Sequence, residues 1–230
     1  MTDPVPPAKS EEPISSEGIS RFIIILLASI LVFIGIFFTL LFRSFSKPSG
    51  HVDVLFDLPA FSLTDQTGAT VTRDSLAGKF LVVNFIFTRC PGVCPLLTKK
   101  MGDLGKEISA WKESGQIRFL SFTADPEYDT PPVLSEYAAK YSADPERWKF
   151  LTGDSSEVEK TIVQGFKISM GKEPVSPSPG SGEKEIFEIV HGERFVLVDS
   201  KSRIRGYYSE DGEGQKKLKE DLRKLLEEHP

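Results

Sequence analysis

The sequence predicts an α/β domain of the thioredoxin-like class, carrying an N-terminal hairpin extension and preceded by a single transmembrane helix. Three observations carry this expectation. An apolar run, Leu81–Phe87, leads through Thr88-Arg89 straight into both cysteines of the chain, Cys90 and Cys94, and Pro95 then opens a helical pattern. From that strand onward, apolar segments and helical stripes follow in the order β-α-β-α-α-β-β-α, strands alternating with helices before a closing hairpin. Upstream, Phe22–Phe42 is uncharged between Arg21 and Arg43. At about 1.5 Å per residue such a run spans a hydrocarbon core of about 30 Å.

The whole chain bounds the problem further. It has 230 residues and a formal net charge of −5, which offers no basic face for nucleic acid. Residues 1–20 hold four prolines and three glutamates without apolar periodicity and read as a disordered tail. Residues 21–43 form the expected anchor. The apolar run exceeds the roughly 7–15 residues of a secretory signal, and no small-x-small cleavage site follows it. Basic residues flank it equally, Lys9 and Arg21 before and Arg43 and Lys47 after, so charge alone assigns no orientation. Residues 44–58 read as a linker and 59–230 as the folded domain.

Within that domain, Asp65-Gln66-Thr67-Gly68 marks a hairpin turn between Phe61/Leu63 and Val71. After Leu81–Phe87 and the cysteines, Leu97, Met101, Leu104, Ile108 and Trp111 are spaced as one apolar face of a helix. Gly115 separates it from a second strand, Ile117–Thr123. Thr130 and Pro131 are suited to the cap and first position of another helix, with Leu134, Tyr137, Ala138 and Tyr141 on its inner side. Phe150-Leu151 is a short extended piece. Asp154 and Glu157 open a further helix through Val163. Gly171–Glu185 is rich in Pro, Ser and Gly and reads as a mobile loop. Phe195–Val198 and Ile204–Tyr208 form a hairpin. In the last helix Leu218, Leu222, Leu225 and Leu226 face inward, and its lysines and arginines are a solvated face.

Two cysteines are too few for a disulfide-stapled scaffold, so they read as redox-active or metal-binding. Four residues apart, on a helical segment, they would share a face with Cα atoms about 6 Å apart, within the reach of a disulfide. The pair can therefore close as a disulfide or present two thiolates to one ion. A helix N-terminus near Pro95 and the charge of Arg89 should both favour thiolate. A metal site needs a third ligand. His51 lies in the expected linker and His229 next to the last residue, and both read as solvated. His191 sits at the foot of the insertion, before a strand whose entering loop packs beside the cysteine turn in a thioredoxin-like sheet. Spacing alone leaves it open between surface residue and ligand.

At this point the chain resembles the Sco/SenC copper-delivery proteins associated with cytochrome c oxidase assembly. The matching stretches are Phe61–Gly68, Leu76–Lys79, Phe85–Pro95 with its CxxxCP turn, Ser121–Pro131 with its DPxxDTP loop, Trp148–Gly153, and His191 upstream of Val198-Asp199. The resemblance implies a thioredoxin-like fold, an N-terminal anchor, and one copper ion, as Cu(I) or Cu(II), held by Cys90, Cys94 and His191. It places the domain on the outer face of a membrane, and the acidic tail favours a bacterial inner membrane with the domain in the periplasm. The implied partners are cytochrome c oxidase subunit II, an upstream copper donor and a thiol reductant. Soft thiolates suit Cu(I), and two thiolates with an imidazole also hold Cu(II). Asp125 and Asp129 could orient ligands, meet a partner, or serve only as turn and cap residues. The expectation is a metallochaperone acting by ligand exchange, not an enzyme. A thiol–disulfide reductase that keeps the partner's cysteines reduced is the alternative, and a peroxidase has only the fold in its favour.

Overall fold

Helix α1 runs unbroken from Ser16 to Phe45, 30 residues, or about 45 Å at the rise of an α-helix. The computed structural model describes residues 16–45, 51–170, 173–175, 186–188 and 194–228, with side chains at 25–39, 51–170 and 194–228. The chain divides into two units between Gly50 and His51, and each is described by itself. In the first, Ile25–Phe38 presents large apolar side chains outward all round the helix. Among the described residues, no helix is long and apolar enough to cross a membrane; the part of α1 with described side chains, 25–39, is shorter than the about 20 residues a span needs.

The second unit is built on one sheet. In chain order come β1 (Phe56–Asp57), β2 (Ser62–Asp65), β3 (Thr70–Thr72), β4 (Phe80–Ile86), α2 (Val93–Ser109), β5 (Ile117–Thr123), α3 (Pro131–Lys140), β6 (Trp148–Thr152), α4 (Ser155–Glu159), β7 (Glu173–Val175), β8 (Ile186–Glu188), β9 (Arg194–Val198), β10 (Arg203–Ser209) and α5 (Gly212–Glu228). The main sheet has eight strands in the order β1-β10-β9-β4-β5-β6-β2-β3. β4, β5 and β6 are parallel, joined by α2 and α3 as crossovers, while β9 lies antiparallel on the other side of β4. The β2–β3 hairpin extends the sheet beyond β6, with Leu63 opposite Val71. Its turn closes on Gly68, whose φ of +86° suits glycine, and Asp65 accepts from the amides of Thr67 and Ala69.

β4 is buried at every position, as a strand covered on both faces must be. Phe80, Val82 and Ile86 face a layer made by Leu97, Met101, Leu104 and Ile108 of α2, Leu134 of α3, and Leu218, Leu222 and Leu225 of α5. Leu81, Val83 and Phe85 face Leu58, Leu63, Val158, Ile162 and Phe166. Both cores are drawn entirely from residues 52–226, so this unit carries its own hydrophobic drive to fold.

Four details differ from the sequence expectation. α2 begins at Val93, two residues before Pro95, and ends at Ser109, leaving Trp111 half-buried beyond it. The helix capped by Asp154 stays α-helical only to Glu159 and continues as a π-turn, Lys160–Gly165. Residues 51–58, expected in the linker, are fastened to the sheet. Val52 and Leu58 are buried, Leu55 and Leu58 donate to the carbonyls of Ile204 and Ser202, and the buried Arg205 guanidinium binds Asp199 and the carbonyls of Val52 and Asp53. Lastly, Glu173–Val175 of the expected mobile loop pairs antiparallel with Ile186–Glu188, since a two-stranded ribbon satisfies backbone groups without a core. Residues 171–172, 176–185 and 189–193, and with them His191, lie outside the described residues, as does His229.

Candidate metal and thiol site

β4 delivers the chain to the end of the sheet, and a tight turn follows: the Cys90 amide donates to the Phe87 carbonyl at 3.2 Å. Pro91 and Gly92 then lead into α2, so Cys90 lies just outside the helix and Cys94 is its second residue. The two sulfurs meet through this turn and not through a shared helical face. The Cys94 amide donates to Cys90 Sγ at 3.4 Å, using one of the donors a helix N-terminus leaves free. Neither cysteine is in a disulfide. Cys90 is half-buried and Cys94 is 2% exposed.

Their surroundings push the two thiols apart. The Cys94 thiol donating to Cys90, together with the amides of Cys94, Gly92 and Val93, outweighs partial burial and brings Cys90 from the ordinary 9.0 to about 6. Cys94 is pushed far up, first by giving its proton to Cys90 in that hydrogen bond and then by burial. The result is an ionised outer sulfur and a protonated inner one. Arg89, the other charge expected to favour thiolate, is engaged elsewhere. Its guanidinium donates to Asp125 Oδ2 at 2.6 and 3.2 Å and lies 4.2 Å over the Tyr128 ring, so its charge is taken up there. The helix N-terminus acts as expected.

Neither Asp125 nor Asp129 is hydrogen-bonded to a cysteine. Both hold the strand end that carries them. Asp129, 0% exposed, accepts from the Thr88 amide at 3.1 Å and from the hydroxyls of Thr88 and Thr123. Burial raises its carboxyl above the usual range, and those donors oppose the rise. Asp125 receives Arg89 and anchors its own amide on Thr123. On the inner side, the Thr98 hydroxyl donates to the Cys94 carbonyl at 2.8 Å, and Tyr137 OH donates to Thr98 at 3.0 Å. Thr98, four residues after Cys94, was open to being found by helix spacing; Tyr137, on another helix, carried no local signal. His51 pairs with Glu228 at 3.3 Å, and among the described residues no cluster of three metal-ligating side chains forms.

A mixed α/β sheet with a cysteine pair at the junction of its first parallel strand and the following helix defines a thioredoxin-like thiol protein. Such pairs exchange disulfides or hold soft metal ions. The chain belongs to the SCO1/SenC family, whose profile matches residues 57–227. It is 34% identical to the SCO1 protein homolog of Bacillus subtilis over 155 residues, 67% of this chain and 74% of that one. Its fold matches the solved structure of BsSco, a member of the Sco family of cytochrome c oxidase assembly proteins in which a disulfide switch was identified. There the TM-score is 0.61 at 29% identity, covering 76% of this chain and 96% of that one. Copper-bound ScoI of Bradyrhizobium japonicum matches with TM-score 0.59 at 26% identity, covering 74% and 99%.

Proposed function

We propose that this protein is a copper metallochaperone of cytochrome c oxidase assembly, holding one copper ion through Cys90, Cys94 and His191 and passing it to the dinuclear copper site of subunit II. The observation that carries the reading is the pair of free sulfurs at the mouth of the sheet, one ionised and within reach of solvent, the other buried beneath it. Two soft donors suit copper, and the structure of a relative with the same fold has copper bound. Delivery is ligand exchange: Cys90 meets the incoming donor or acceptor first, while Cys94 stays behind it. Metal uptake needs both thiols reduced, so a thiol reductant works upstream. The uncharged run Phe22–Phe42 within the unbroken α1 supports an N-terminal membrane anchor; the acidic tail and the family resemblance are what favour a bacterial inner membrane with the domain in the periplasm.

The test is an anaerobic Cu(I) titration of residues 47–230 against a competing chelator, parent beside His191→Ala. One tight equivalent, weakened at least about tenfold by the substitution (about 1.4 kcal/mol), is expected. Binding that ignores His191, or no tight binding, overturns the three-ligand site. A second reading, a thiol–disulfide reductase acting on the same partner, is favoured by the low value of the outer thiol and the protonated inner one, the arrangement of an attacking and a resolving cysteine. It needs both cysteines and is indifferent to His191.

A further inference from the structure

We propose that Tyr128, with Leu96 and Pro91 of the cysteine turn, forms a docking rim for an extended, apolar, cysteine-bearing segment of a partner protein. The inference rests on the reading above only in that Cys90 is the sulfur a partner must reach. Tyr128 and Leu96 are 46% and 45% exposed, and Pro91 is exposed as well. Tyr128 lies on the loop after β5, its ring against Arg89, the residue before Cys90, and Leu96 lies in the first turn of α2, two residues after Cys94.

Tyr128 is unusual in being both exposed and held. Arg89 covers one face of its ring at 4.2 Å. Arg89 is fixed in turn by two bonds to Asp125, and the Tyr128 amide donates to the Asp125 carbonyl at 3.1 Å. An aromatic already immobilised loses little side-chain freedom when a partner covers it, and Tyr and Arg are enriched among the residues that dominate interfaces. Because Asp125 neutralises Arg89, this part of the rim offers contact area more than charge. A Cβ added at Gly92 would meet nothing within 4 Å, so a partner backbone has open space beside Cys90. The occupant must bring sulfur, since Cys90 exchanges with thiols and disulfides or yields a soft ion to another thiolate. A free small thiol would need Cys90 but not the rim.

The test uses reduced, metal-free Cys94→Ser protein, residues 47–230, and two synthetic decapeptides. Each peptide carries one cysteine activated as a mixed disulfide with thionitrobenzoate; one is flanked by Leu and Phe, the other by Ser and Gln. Cys90 thiolate attacks the peptide sulfur, a Cys90–peptide disulfide forms, the peptide–thionitrobenzoate bond breaks, and the released thionitrobenzoate anion is read by absorbance. The apolar peptide should react at least about tenfold faster, and Tyr128→Ser should cut that preference below about threefold, each factor of ten being about 1.4 kcal/mol. Leu96→Ser should reduce it less, and Tyr128→Phe should keep it. The ratio cancels any change in the reactivity of Cys90 itself, which the symmetric thionitrobenzoate disulfide reports separately. No preference in the parent, or a preference unchanged in Tyr128→Ser, overturns the rim. So does a dimer in sedimentation velocity that Tyr128→Ser abolishes, which would assign the face to a second copy. None of these rates involves copper, so the rim and the three-ligand site stand or fall separately.

Discussion

The inequality of the two thiols predicts an alkylation profile that can be worked out in advance. With Cys90 at about 6 in place of 9.0, about nine-tenths of it is thiolate at pH 7, against about one-hundredth of an ordinary thiol. Intrinsic nucleophilicity falls with basicity, with a slope of about 0.4–0.5, so three units cost about 15- to 30-fold. The product is a reaction with iodoacetamide about three- to sixfold faster than an unperturbed peptide thiol at pH 7, and about 7- to 15-fold slower at pH 9, where half the reference thiol is also ionised. The rate should level off above pH 7, with its midpoint near 6. The assay is timed alkylation of the reduced, metal-free domain between pH 4 and 10, read by peptide mass. It should give one modified site, since Cys94 is buried and held protonated. Replacing Cys94 with Ala removes the largest cause of the lowering and should move the midpoint upward. A midpoint between 8 and 9, or equal labelling of both cysteines, would refute the inner-thiol hydrogen bond as the cause.

Three further outcomes follow from the same structure. Asp129→Asn turns part of an acceptor-only group toward the donors of Thr88 and Thr123 and should cost about 1–3 kcal/mol in urea unfolding; no loss would mean that these bonds are not made. Arg205→Met leaves Asp199 buried with Arg203 as its remaining guanidinium partner and frees the carbonyls of Val52 and Asp53; a loss of about 3 kcal/mol or more is expected, with faster amide exchange at Leu55 as the local sign. Asp65 is held below the usual carboxylate range, burial being outweighed by Lys149 and the Thr67 and Ala69 donors. Its folded value lies below the unfolded one, so its stabilisation is present above about 4 and lost as pH falls through the folded value; Lys149→Met should flatten that acid limb of the stability curve.

Much of the fold was legible because its signals are local. Leu81–Phe87 and Ile117–Thr123 read as strands since both faces of each are covered, and their apolar density needs no partner to be seen. Leu97, Met101, Leu104 and Ile108 announced α2 by spacing alone. What stayed hidden depends on distant pairing. Val52 and Leu58 belong to the sheet through β10, some 150 residues later, and the composition of residues 46–50 spoke more loudly for a linker. At the site, the two cysteines were plain, but their inequality was not. It comes from the turn at Pro91-Gly92, which leaves one sulfur before the helix and places the other inside it. The pairing of Arg89 was hidden for a similar reason, because its neighbour in sequence is Cys90 while its partner in space is Asp125.

The acidic loop after β5 is tied to the approach to the cysteine turn. Asp129 grips Thr88 and Asp125 grips Arg89, the two residues immediately before Cys90. Thr123, at the end of β5, bonds both aspartates. The end of one parallel strand therefore fixes the exit of the strand beside it. From the other side, Tyr137 on α3 reaches the Cys94 carbonyl through Thr98. Cys90 and Cys94 are thus held by different elements. A partner engaging Cys90 meets a turn restrained on both flanks, so exchange at the outer sulfur need not disturb the packing around the inner one. The pair can remain poised, one thiolate and one thiol, until a metal ion or a disulfide takes the second proton away.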